Sequence, residues 1–119
     1  MDADLSRAAV ISRIRKGLQT RTGRTWSVTG GRGTAWGWIR ISAPPARKVC
    51  FDKACDRVAC THGRYEMTED DLAMLSLALG ERMVHHQGVS IPASSAYYRE
   101  FIDRAEGRTP EVIGTPYWD

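Results

Sequence analysis

Trp36, Trp38 and Arg40 alternate within the run TGGRGTAWGWIRI, residues 29–41, and Arg32 stands four residues before the first tryptophan. Residues two apart on a strand share a face, so the pattern predicts an aromatic–aromatic–arginine row. Indole rings stack nucleobases and guanidinium groups meet phosphates, which makes the row a candidate nucleic-acid surface. The same row also suits a helix packed over it, with both tryptophans in the core. The glycines raise the question of a phosphate cradle. GGRGT lacks the Lys–Ser/Thr pair and the following helix of a Walker loop, and a dinucleotide fingerprint needs a helix where a strand follows here. A hairpin turn accounts for the same glycines.

Other chemistry-bearing residues are scattered. Cys50, Cys55, Cys60 and His62 place four soft ligands within thirteen residues. Tetrahedral zinc takes such ligands, but zinc fingers space each pair two to four residues apart, and this spacing differs. Cysteines packed as small hydrophobes are the alternative. His85 and His86 are adjacent and would face opposite ways on a strand. Ser90, Ser94 and Ser95 stand in no nucleophile elbow, and the last two suit a helix cap. Glu69, Asp70 and Asp71 fall in a first helical turn, where negative charge favours the dipole. These residues predict no catalytic group, no cofactor and a non-enzymatic chain.

The elements that must carry these residues follow from periodicity. Leu5, Ala8, Ile11, Ile14 and Leu18 recur at three or four and predict a helix over about 4–19. Arg7, Arg13, Arg15 and Lys16 lie off that stripe, and Gly17 and Gly23 bracket its exit. In TWSVT, Trp26 and Val28 alternate with Thr25, Ser27 and Thr29, which predicts a strand. Thr34 to Ser42 predicts the returning strand, with Ala35, Gly37, Ile39 and Ile41 inward and Gly37 leaving room for Trp26. Thr25, Ser27 and Thr29 would share the tryptophan face, with Arg24 and Arg32 at the ends of the first strand. Pro44 and Pro45 end the second strand. Residues 47–64 fit either a short helix or a loop. Thr68 and Asp71 form a capping-box pattern ahead of Leu72, Leu75 and Leu79, which predicts a helix over 69–79 closed by Gly80. Residues 84–94 predict a loop with one short strand. Ser94 or Ser95 opens a third helix bearing Tyr97, Tyr98, Phe101, Ile102 and Ala105, closed by Gly107. Val112, Ile113, Tyr117 and Trp118 predict a docked tail.

Composition bounds the rest. The 119 residues fit one domain, 1–119, and 42% hydrophobic with 26% charged residues is an ordinary globular balance. No apolar run approaches the about 18 residues of a membrane span. MDADLSR has no apolar stretch of a signal peptide, and three cysteines cannot all pair, so a cytoplasmic chain with reduced thiols is expected. The net charge of +3 conceals an asymmetry. Residues 1–48 carry ten Lys or Arg against two acids, a balance of +8, and residues 49–119 carry seven against twelve, a balance of −5. A basic half suits a polyanion. Two halves that neutralise each other on folding would give the same totals.

The succession IRKGLQTRTG, then Trp26-Ser27-Val28, a glycine-rich turn, an aromatic strand and Ala43-Pro44-Pro45 resembles a small domain associated with large polyvalent proteins of phages and conjugative elements. The likeness covers residues 8–48 and differs in placing tryptophan where that family has phenylalanine. It implies an association with mobile-element DNA transfer and host defence in a bacterial or phage setting, and it brings no catalytic residues. The expected fold is α+β, a β-hairpin in a small antiparallel sheet packed with about three helices. The expected function is nucleic-acid binding, with Arg32, Trp36, Trp38 and Arg40 in contact and Arg13, Arg15 and Lys16 adding phosphate contacts. A protein–protein adaptor or homo-oligomer using the same aromatic face is the alternative, since tryptophan and arginine anchor such interfaces. A small zinc protein built on Cys50, Cys55, Cys60 and His62 is a third reading.

Overall fold

The computed structural model describes residues 6–45, 48–49, 64–65, 67–85 and 88–114. Among them the strands are β1 (Ser27–Gly30), β2 (Ile39–Ser42), β3 (Lys48–Val49), β4 (Arg64–Tyr65) and β5 (Val89–Ile91). The helices are α1 (Arg7–Thr22), α2 (Glu69–Leu79) and α3 (Ser95–Glu106). β1, β2 and β5 form an antiparallel sheet in the order β1-β2-β5, and β3 pairs with β4. The architecture is α+β. No helix among the described residues is long and apolar enough to cross a membrane.

Local signals set the helix ends. Ser6 Oγ accepts from the Ala9 amide at 3.3 Å and opens α1, and Gly23 closes it in the left-handed conformation that glycine adopts without steric cost. Val10, Ile14 and Leu18 are the buried stripe of α1. Ala8, expected on that stripe, is exposed. A strict four-residue spacing from Val10 directs larger side chains into the core. Both halves of the α2 capping box are made, with the Asp71 amide donating to Thr68 Oγ1 at 3.1 Å and the Thr68 amide donating to Asp71 Oδ2 at 3.3 Å. α3 buries Tyr98, Phe101, Ile102 and Ala105 and ends at Gly107.

α1 and α3 pack against each other and against the sheet, α1 on β1 and α3 on β5, while α2 packs on both helices. A Cβ at Gly17 would come within 2.9 Å of the Ala105 carbonyl oxygen, so glycine there permits the close α1–α3 approach. The sheet register places Val28 opposite Ile41 and Ile41 opposite Val89, with Ile39 opposite Ile91, and these five residues form the buried face. Each such side chain contributes roughly 1.5–3 kcal/mol by leaving water. Trp26 joins them, 1% exposed, its indole N–H donating to Thr22 Oγ1 at 2.8 Å. The other face is polar, with Thr29 opposite Arg40 and Arg40 opposite Ser90.

Three expectations are corrected. The second strand begins at Ile39 rather than Thr34, because a 3-10 turn at Gly33–Ala35 interrupts the alternation. Gly37 does not accommodate Trp26. A Cβ on it would collide with Cβ of Ala93, so it lets the loop close on the segment before α3. Val112 and Ile113 are exposed, and the tail is held by the Gly114 amide donating to Glu100 Oε1 at 2.7 Å. Tyr117 and Trp118 lie outside the described residues.

Arginines link these elements. Arg21 Nη1 donates to the carbonyls of Ala78 at 3.1 Å and Arg104 at 2.6 Å, and Arg104 Nη1 donates to that of Leu79 at 2.9 Å. Orphan carbonyls near the C-termini of α2 and α3 thereby gain cationic donors. Arg24 pairs with the buried Asp71. Arg13 makes two hydrogen bonds to Glu106, which Arg108 also contacts at 2.6 Å. Burial pushes the Glu106 carboxyl up, but the hydrogen bonds from Arg13 and Arg108 outweigh it and hold it below the usual carboxylate range. A carboxyl lowered on folding stabilises above its unfolded value, about 4.3, and loses that contribution as pH falls through the folded value. Glu106→Gln should therefore be less stable than wild type at pH 7, and the gap should narrow as pH falls through the folded value. Urea midpoints from pH 7 into the acid range check this, and a gap that does not narrow with falling pH would contradict it.

Candidate nucleic-acid interface

Residues 31–38 form the loop at the outer end of the β1–β2 hairpin. Its closure begins in the backbone, where the Gly31 amide donates to the Trp38 carbonyl at 2.8 Å and the Trp36 amide to the Gly33 carbonyl at 3.1 Å. Gly33 has φ of 59°, which suits glycine and explains why the strand pattern breaks there. Two side chains from different helices then fix the loop. Arg7, the first residue of α1, donates through Nη1 to the carbonyls of Gly31 at 2.8 Å and Trp36 at 2.6 Å. Tyr98 of α3 donates its hydroxyl to the Gly37 carbonyl. Burial pushes the Tyr98 hydroxyl above its ordinary value against a smaller opposing pull from Arg7, which keeps it a neutral donor.

Arg7 also lies over the Trp36 indole, its guanidinium carbon 4.0 Å from the ring centroid. This is a cation–π contact on one face of the ring. A Cβ at Gly30 would collide with the Arg7 guanidinium, so the glycine that ends β1 keeps the slot open for it. Trp36 is nevertheless 60% exposed. Trp38 is half-buried.

Of the residues singled out from sequence, the fold brings Arg32, Trp36, Trp38 and Arg40 to one end of the hairpin. Arg32 is in the loop and exposed, and Arg40 is exposed on the polar sheet face beside the loop. The expected row along a strand is not formed, because Trp36 and Trp38 belong to the loop. Arg13, Arg15 and Lys16 lie farther along α1. Arg13 holds Glu106 and Arg15 donates to the Val28 carbonyl at 2.7 Å, while Lys16 is exposed. Among the described residues Lys16, Arg32, Arg40 and Arg82 are exposed cations with no hydrogen bond or ion pair.

Arg7 and Tyr98, which set the loop, were not legible as site residues. Arg7 stood out only as a cation off the apolar stripe, and Tyr98 only as a core aromatic. Among the described residues no three His, Cys, Asp or Glu side chains are grouped as a metal would require. Cys50, Cys55, Cys60, His62 and His86 lie outside the described residues, and His85 and Gly88 exchange two backbone hydrogen bonds. No family model, no curated protein and no solved structure matches the chain.

Proposed function

We propose that the chain is a non-enzymatic module that binds nucleic acid through the outer end of the β1–β2 hairpin. The observation that carries this reading is Trp36, an exposed ring held in place by a buttress of Arg7 rather than left loose. A large exposed aromatic on a fixed loop has lost its entropy before any ligand arrives, which favours binding. Charge supports the ligand class. From residue 5 to residue 51 the chain has no Asp or Glu, and Lys16, Arg32 and Arg40 in that span have no partner among the described residues. Polyanion recognition uses such free cations. A role beside mobile-element DNA, implied by the resemblance of residues 8–48, belongs to the same proposal.

The test is a titration of a labelled mixed-sequence oligonucleotide at several salt concentrations. Each phosphate contact contributes a slope of roughly −0.7 to −0.9 in log K against log salt. Arg32→Ala and Arg40→Ala should each make the slope shallower by about that amount and weaken binding of every sequence alike. No binding at low salt would overturn the proposal and bring forward the adaptor reading, in which Trp36 meets a protein.

A further inference from the structure

We infer that the ligand group received by this loop is a single unpaired nucleobase, stacked on the outer face of Trp36, so that the chain prefers single-stranded to fully paired nucleic acid. The inference rests on the nucleic-acid reading above and adds which strand state is bound.

The first argument is the number of open ring faces. Arg7 covers one face of Trp36 at 4.0 Å, and with the residue 60% exposed the opposite face is turned to solvent. Among the described residues Trp36 is the sole aromatic among the exposed large hydrophobic side chains. One open face holds one base, and a run of stacked bases would need further exposed rings.

The second argument is what a duplex could offer. Paired bases present edges in the grooves and keep their faces stacked within the helix, so a ring seeking a face needs a base that is unpaired or at an end. Reading a groove usually requires a helix or strand pair that projects cations and amides into it. α1 is the basic helix, yet it is packed on β1 and α3, and its Arg13 and Arg15 are turned onto Glu106 and the Val28 carbonyl. The loop that carries the ring also carries the free cation Arg32, and Arg40 stands on the strand that leaves it, where both can meet the phosphates of a strand whose base sits on Trp36.

The experiment uses the full chain and one mixed-sequence strand of twelve nucleotides, as DNA and as RNA, alone and as a blunt duplex with its complement. Wild type should bind the single strand at least about tenfold more tightly than the duplex. Trp36→Leu keeps apolar bulk and removes the ring, and it should weaken single-strand binding by about 5- to 100-fold with little change for the duplex. Trp36→Phe should restore most of the loss. Circular dichroism of each variant confirms the fold, which an exposed position tolerates. Equal affinity for strand and duplex, or Trp36→Leu indistinguishable from wild type in binding the single strand, overturns the inference and leaves nucleic-acid binding standing. Binding of neither form at low salt overturns both.

Discussion

Arg104→Ala is expected to lower the unfolding free energy by about 3–5 kcal/mol, the usual cost of stranding a buried charge. Glu100 is 1% exposed, and its carboxylate accepts from Arg104 Nε at 2.9 Å and from the Gly114 amide at 2.7 Å. Removing Arg104 leaves one backbone donor for an ionised group out of reach of water. The same substitution removes the donor to the Leu79 carbonyl at the end of α2. An exposed pair at the same helical spacing would contribute only about 0.3–0.5 kcal/mol, so burial decides the magnitude. In a chain of this size the loss corresponds to a fall of roughly 10–20 °C in Tm. The double variant Glu100→Gln/Arg104→Met, which removes both charges and keeps the bulk, should recover most of it. Urea unfolding of the three proteins checks the prediction. A loss below about 1 kcal/mol for Arg104→Ala would mean that Glu100 reaches water in the folded chain.

The sequence was most legible where a signal and its consequence lie close together in the chain. Thr68 and Asp71 are three residues apart, and α2 has the bounds that their capping box predicts. Trp26 and Val28 alternate with polar neighbours, and both are buried. The alternation from Ala35 to Ile41 misled because period two describes side-chain direction only if the backbone stays extended. Gly33 in a left-handed conformation and the 3-10 turn it opens end that condition, and the loop is held by Arg7 and Tyr98, far away in sequence. Charge failed to declare its use for the same reason. With no acid nearby, the cations of α1 read as available for phosphate, but Arg13 finds Glu106 ninety-three residues on and Arg15 finds a carbonyl of β1. Of the residues first assigned to the interface, Lys16, Arg32 and Arg40 keep free charges and Trp36 an exposed ring.

Replacing Arg7 by methionine should loosen the loop over residues 31–38 and cost at least about 2–3 kcal/mol of stability. A cation in the first turn of a helix is disfavoured by roughly 0.3–1 kcal/mol through the helix dipole. Hydrogen bonds from a charged donor contribute about 1.5–3 kcal/mol each, so the two carbonyls that Arg7 binds outweigh that penalty. Its contact with Trp36 adds about 0.5–1 kcal/mol at an exposed site. Methionine keeps the stem and loses all three, and loop amides should exchange at least about tenfold faster while core amides of α3 hardly change. Gly30→Ala provides the complementary case. Its Cβ would occupy the Arg7 guanidinium slot without altering any charge, so the loop should loosen in the same pattern. Both variants should also weaken oligonucleotide binding, because an untethered Trp36 must be ordered again each time a base stacks on it. If Arg7→Met speeds exchange only in the first turn of α1, or Gly30→Ala leaves the loop unchanged, Arg7 is a fixture of the helix and the rigidity of Trp36 has another source.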